Sequence, residues 1–150
     1  MKVFISSCLI GYPWRYDGSH KFNQELIDIL KDHEIVHGCC EYLAPFKIPH
    51  LPIEIKDNQA YFSNGENITK QLQNGAEEVL KIYINNQCDF AILKSKSPSC
   101  GRDRIYDGNF NGQMVDGDGF VTRIFKQHHI KIFNENEIEE IKEYIKSKSK

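Results

Sequence analysis

The stretch that decides the fold is residues 89–101, DFAILKSKSPSCG. Its first half, Asp89 to Lys94, is a short apolar run with charged ends, the pattern of a buried strand. Its second half is polar and interrupted by Pro98, so it reads as a loop, and that loop carries Cys100. The same arrangement occurs twice upstream. Residues 2–6, KVFIS, lead through Ser7 into Cys8, and residues 34–38, EIVHG, run directly into Cys39, Cys40 and Glu41. Three short strands therefore end in thiols.

Between these strands the hydrophobic period lengthens to that of helices. Asn23 is placed to cap a helix with Leu26, Ile27 and Leu30 on one face, running to about His33. Leu72, Ala76, Val79, Leu80 and Tyr83 form the clearest helical stripe, capped by Asn67 or Thr69. Asp118 is expected to cap a helix bearing Val121, Ile124, Phe125 and His128. Residues 130–133 read as a last short strand. A closing helix turns Ile138, Ile141 and Ile145 inward, with glutamates at its start and lysines at its end, and the tail 146–150 is expected to fray. Pro45, Pro49 and Pro52 exclude regular helix or a central strand from Leu43 to Glu54, leaving a crossover loop or extended edge able to wall a pocket. Gln59 to Phe62 reads as a small edge strand, and the glycines and aspartates of 104–119 as a hairpin-like excursion. The expectation is one domain over residues 1–150, α/β and three-layered, with a mainly parallel Rossmann-like sheet of about four to five strands and flanking helices. Ligands in such sheets bind beyond the carboxyl ends of the strands. Cys8, Cys39 and Cys100 fall there, whereas Cys88 immediately precedes a strand and belongs to the opposite edge.

The 150 residues are 40% hydrophobic and 27% charged with a formal charge of -2, which excludes a disordered chain. There is no basic excess of the kind that binds phosphate backbones, so nucleic acid is not an expected partner. No apolar run approaches the roughly 18 to 20 residues of a membrane helix. The start reaches Pro13 and Arg15 too early for a signal peptide, which gives a cytoplasmic expectation. In that reducing compartment five cysteines, an odd number, are better read as free, metal-bound or catalytic than as disulfides. Three converging thiols can hold zinc or an iron–sulfur cluster, or one of them can act as a nucleophile. Their spacing contains no CxxC pair and leaves these choices open. Glu41 is placed to move protons beside such a site, and Ser97 to bond a substrate or a sulfur ligand. Residues 33–37, HEIVH, match HExxH, but that motif binds zinc only on a helix. In a strand four residues span about 13 Å, too far for both rings to share an ion.

SSCLIGYPWRYDG (6–18), CCE (39–41), PHLPIEI (49–55), GENIT (65–69), ILKSKSPSCG (92–101), IYDGNFNG (105–112) and VDGDGF (115–120) together resemble the thiouracil desulfidase (TudS-like) family, over about residues 3–133. The resemblance implies a [4Fe-4S] cluster held by Cys8, Cys39 and Cys100, with a fourth iron free of protein. It implies that this iron takes the sulfur of a small thiolated base such as 2-thiouracil, and that hydrolysis replaces C=S by C=O without net electron transfer, releasing sulfide. Glu41 and Ser97 then become candidates for proton transfer and for positioning substrate or sulfide. Arg15, Tyr16 and Asp17 are candidates for either turn formation or substrate contact, and Lys94 for attracting an anionic ligand. Two positions depart from the family pattern. Cys40 stands where a proline usually separates cysteine from glutamate, and His50 follows Pro49 where many relatives have arginine. The rival reading is a non-catalytic iron–sulfur or zinc module serving as sulfur carrier or sensor. Oligomeric state is not legible in the sequence.

Overall fold

Alternation along the first strand sets the layers. In β1 (Lys2–Ser6) Phe4 enters one core while Val3 and Ile5 enter another on the opposite face, as successive side chains of a strand must. The computed structural model describes residues 1–148. β1 pairs in parallel with β2 (Glu34–Gly38) and with β5 (Phe90–Ile92), and β5 with β8 (Ile132–Phe133), giving the order β2-β1-β5-β8. The Phe4 core is closed by α3 (Thr69–Asn85) and α4 (Phe120–Gln127) through Leu72, Ala76, Val79, Phe120 and Phe125. The other core is closed by α1 (Gln24–Ile29) and α5 (Ile138–Lys148) through Leu26, Ile138 and Ile141. This is the expected three-layer α/β sheet. Ile5 lies opposite both His37 and Ile92, so the carboxyl ends of three adjacent strands are level.

Several local expectations hold and several are corrected. The Asn23 carboxamide accepts from the Leu26 N–H at 3.0 Å, but α1 stops at Ile29 rather than near His33. The cause is tertiary: Glu34 N–H must reach the Met1 carbonyl to start β2 beside β1, so the chain turns early. His33 consequently lies outside any helix, its Nδ1 2.9 Å from the terminal ammonium, and HEIVH runs into a strand as expected. Asp118 does not cap α4. Its carboxylate is taken by the Asp103 N–H and by Lys126, and Gly119 holds the cap position. His128 follows α4 and is exposed rather than on its inner face. The proline-rich segment holds more regular structure than expected, because a short α2 (Cys40–Leu43) precedes it and β3 (Ile53–Lys56) begins within it. β3 pairs antiparallel with β4 (Gln59–Phe62). The excursion is a true hairpin of β6 (Arg104–Tyr106) and β7 (Met114–Asp116). Residues 146–148 continue α5, and the other two residues expected to fray, 149 and 150, lie outside the described residues. Among the described residues no helix is long and apolar enough to cross a membrane.

Gly75 couples this scaffold to the strand ends. A Cβ there would lie 2.3 Å from the Cys40 carbonyl oxygen and 3.0 Å from the Ala44 Cβ, so only glycine lets α3 lie this close to α2. Alanine is the better residue inside an exposed helix, by about 1 kcal/mol. Here backbone overlap wins: Gly75→Ala is expected to destabilise by about 1–3 kcal/mol, measured by urea unfolding.

Candidate functional site

Each thiol is delivered by backbone rather than by chance proximity. Cys8 follows β1 in a single 3₁₀ turn, Ser7–Ile10, whose carbonyl at Cys8 accepts from the Lys21 N–H at 2.9 Å. Cys39 follows β2 in extended conformation and caps α2, and its thiol lies 3.8 Å from the Trp14 carbonyl. Cys100 follows β5 through a turn that Ser97 builds, the Ser97 Oγ accepting from the N–H groups of Ser99 and Cys100 at 3.0 and 3.1 Å. Gly119 permits this turn to sit against α4, since a Cβ there would meet Ser99 and Cys100 backbone atoms at 2.6–2.8 Å.

All three cysteines line one cavity of about 660 Å³, together with Glu41, Ser97, Arg15, Tyr16 and Lys94. Asp17 does not. Its carboxylate is spent on the N–H and hydroxyl of Ser19, which hold it below the usual carboxylate range. The adjacent thiols of residues 39 and 40 diverge where extended chain turns into helix. Cys40 is 1% exposed and points into the core, donating to the Leu72 carbonyl at 3.3 Å. Trp14 is not a wall of the cavity; it stacks on Tyr42 at 4.0 Å.

Burial dominates the electrostatics of the thiols. It pushes Cys8 up to about 11 against the pull of Lys94 and Arg15, and it pushes Cys39, beside the Glu41 carboxylate, up to about 12. Cys100 is raised well above the thiol range by burial, although the Ser6 hydroxyl, 3.4 Å from its sulfur, opposes this. Thiols held this way are poor free nucleophiles at neutral pH. A bound cation reverses the balance by displacing their protons. Among the described residues no three His, Cys, Asp or Glu side chains converge tightly enough for a single metal ion. The thiols instead surround a space, an arrangement suited to a cluster that takes one thiolate on each of several irons.

Glu41 stands at the cavity wall between two partners that sequence reasoning missed. One oxygen accepts from the Ser99 hydroxyl at 3.3 Å, and the other lies 3.2 Å from His50 Nε2, within ion-pairing distance but off the line of a hydrogen bond. His50 Nδ1 donates to the Leu51 carbonyl at 2.7 Å. Burial alone would lower the histidine, yet the Glu41 carboxylate and that carbonyl outweigh it and its pKa is raised. Lys94 is not a free cation, because Glu135 binds its ammonium at 3.1 Å. Burial opposes the Glu135 charge, but Ser95 and Lys94 overcome it and hold the carboxyl below its usual range. Arg15, by contrast, bonds Ser19 through Nη1 at 3.1 Å and lies over the Tyr16 ring. The signal for Ser6 and Ser99 lies in their place next to the cysteines; nothing local marks His50.

A Rossmann-like sheet whose adjacent strand ends bring three free thiols and a carboxylate to one cavity defines an α/β protein built around a cysteine-lined centre. The chain belongs to the 2-thiouracil desulfurase family, whose model matches residues 3–137. It is 31% identical over 149 residues to the uncharacterized protein YbbK of Bacillus subtilis (strain 168), covering 93% of this chain and 99% of that protein. Its structure is similar to that of the [4Fe-4S]-dependent thiouracil desulfidase TudS, with a TM-score of 0.89, 31% identity and 97% of each chain covered.

Proposed function

We propose that this protein is a [4Fe-4S]-dependent desulfidase that converts a thiolated nucleobase such as 2-thiouracil and water into the oxo base and hydrogen sulfide. The observation that carries the reading is the meeting of Cys8, Cys39 and Cys100 with Glu41 on one cavity, in a chain of this family. Cys8, Cys39 and Cys100 would hold the cluster. When bound, a cluster with three thiolate ligands supplies a thiophilic Lewis-acid iron that polarises C=S and accepts the leaving sulfur.

The remaining work falls to side chains. Glu41 is positioned by Ser99 and His50 to orient water and take its proton. Ser97 spends its oxygen lone pairs on the Cys100 turn, which leaves its O–H to donate into the cavity, to substrate or to departing sulfide. Arg15 and Tyr16 form the substrate wall, and Lys94, neutralised by Glu135, shapes that wall more than it adds charge. Reduced thiols and a solvent-reachable cluster suit the cytoplasm.

The test is anaerobic reconstitution with iron and sulfide, followed by incubation with 2-thiouracil. Stoichiometric sulfide and uracil are expected, with no added reductant or oxidant. A fully loaded protein that releases no sulfide from any thionucleobase would overturn the enzymatic reading in favour of a sulfur carrier or sensor.

A further inference from the structure

Glu54 is a buried charge that the steps above leave without a task. It lies in β3 between Ile53 and Ile55, which face the core, so the strand period turns its side chain to the other face. There it is 9% exposed and lines the same cavity as the thiols. Its Oε1 accepts from the N–H groups of Gly108 and Phe110 at 3.0 and 3.1 Å. Among the described residues its Oε2 has no hydrogen-bond partner and no cation pairs with the carboxylate. The one fully buried side-chain nitrogen or oxygen without a hydrogen bond among the described residues is His50 Nε2, so Glu54 Oε2 keeps some access, and the cavity is the space that Glu54 lines.

A buried carboxylate without a counter-charge is costly. Holding the 108–110 loop does not require it, because a glutamine oxygen can also accept both N–H groups. The charge makes sense if a ligand supplies the missing donor. We propose that Glu54 is a specificity-determining residue whose free oxygen accepts a ring N–H of the thiolated pyrimidine. The inference rests on the desulfidase reading given above. A ring N–H flanking C=S is a strong donor, and its bond to a carboxylate is charge-assisted. The same oxygen repels a ring that presents a lone pair, or a methyl group, in that place.

The experiment uses the cluster-loaded protein with 2-thiouracil, 1-methyl-2-thiouracil and 3-methyl-2-thiouracil as substrates, and calorimetry with uracil as a readout independent of turnover. Wild type is expected to prefer 2-thiouracil over one of the two methylated rings by about 10- to 100-fold in kcat/KM. E54Q keeps the loop anchor and inverts the free group from acceptor to donor. It is expected to raise the KM for 2-thiouracil and the Kd for uracil by about tenfold or more, to change kcat less, and to erase the preference between methylated and unmethylated rings. A purely steric effect of the methyl group would persist in E54Q. E54Q with wild-type iron content and Tm but unchanged KM, Kd and preference overturns the proposal, as does a wild type that treats all three rings alike. If E54Q proves unfolded, E54D, which keeps the charge but draws it back from the ring, takes its place with the same expected loss of preference, and an unchanged preference in a folded E54D overturns the proposal. A wild type that neither desulfurises nor binds these rings removes the desulfidase reading and this inference together.

Discussion

Serine in place of Cys8, Cys39 or Cys100 is expected to leave a folded protein that, after anaerobic reconstitution, no longer retains four irons and releases sulfide more than about 100-fold more slowly. Outer-shell partners of metal ligands already cost about 10- to 100-fold, so loss of a ligand sets a lower bound there. The two other cysteines supply controls that composition alone could not. Cys88 lies outside the cavity and packs at the amino end of β5, so Cys88→Ser should match wild type in iron content and rate. Cys40 is fully buried against Leu72, and Cys40→Ala should keep iron and activity while losing about 1–2 kcal/mol in urea unfolding. Iron and sulfide analysis with an absorption spectrum reads all five variants. If Cys40→Ala empties the site and Cys39→Ser does not, the ligand assignment moves by one residue.

The layers are legible in the sequence because both signals behind them are local. Period-two burial in KVFIS and the 3.6-residue stripe from Leu72 to Tyr83 each follow from a few consecutive residues. So does the rule that places ligands at strand ends, which points to Cys8, the Cys39–Cys40 pair and Cys100 from the order of strands and loops, with the choice of Cys39 over Cys40 coming from the family resemblance. The misses share the opposite cause. Asp118 has the composition of a helix cap, but the Asp103 N–H, from a separate loop, and Lys126, two turns along α4, claim its carboxylate. The end of α1 is set by where β2 must begin, a demand made by Met1. At the site, Glu41 and Ser97 are readable from their nearness to cysteines. His50 and Glu54 are not, because a hairpin and a proline-rich loop bring them in. One local clue does exist for Glu54: a carboxylate alternating with isoleucines in IEI, on a strand whose faces are both covered.

Glu41→Gln is expected to lower kcat by about 10²- to 10⁴-fold, the usual weight of a general acid–base group, while iron content and absorption spectrum stay at wild-type values. The amide keeps the size of the side chain and its bond from Ser99, but it cannot accept a proton from water. His50 offers a second readout, one that reports the Glu41 charge itself. Burial pulls the imidazole down and the carboxylate pulls it up, with a net rise above the ordinary value of about 6.5. Removing the carboxylate leaves burial opposed by the Leu51 carbonyl alone, so the His50 pKa should fall in a titration of its ring protons by NMR on the cluster-free protein. The sign for stability follows from linkage. A group whose folded pKa is raised stabilises fully below its unfolded pKa, and that contribution disappears as pH rises through the folded value. The stability gap between wild type and Glu41→Gln should therefore be larger near pH 6 than near pH 8, about 6.5 being the unfolded reference. A variant with wild-type kcat would remove Glu41 from proton transfer and leave Ser97 as the one other candidate side chain, whereas a gap that widens toward alkaline pH would remove the carboxylate–imidazole coupling.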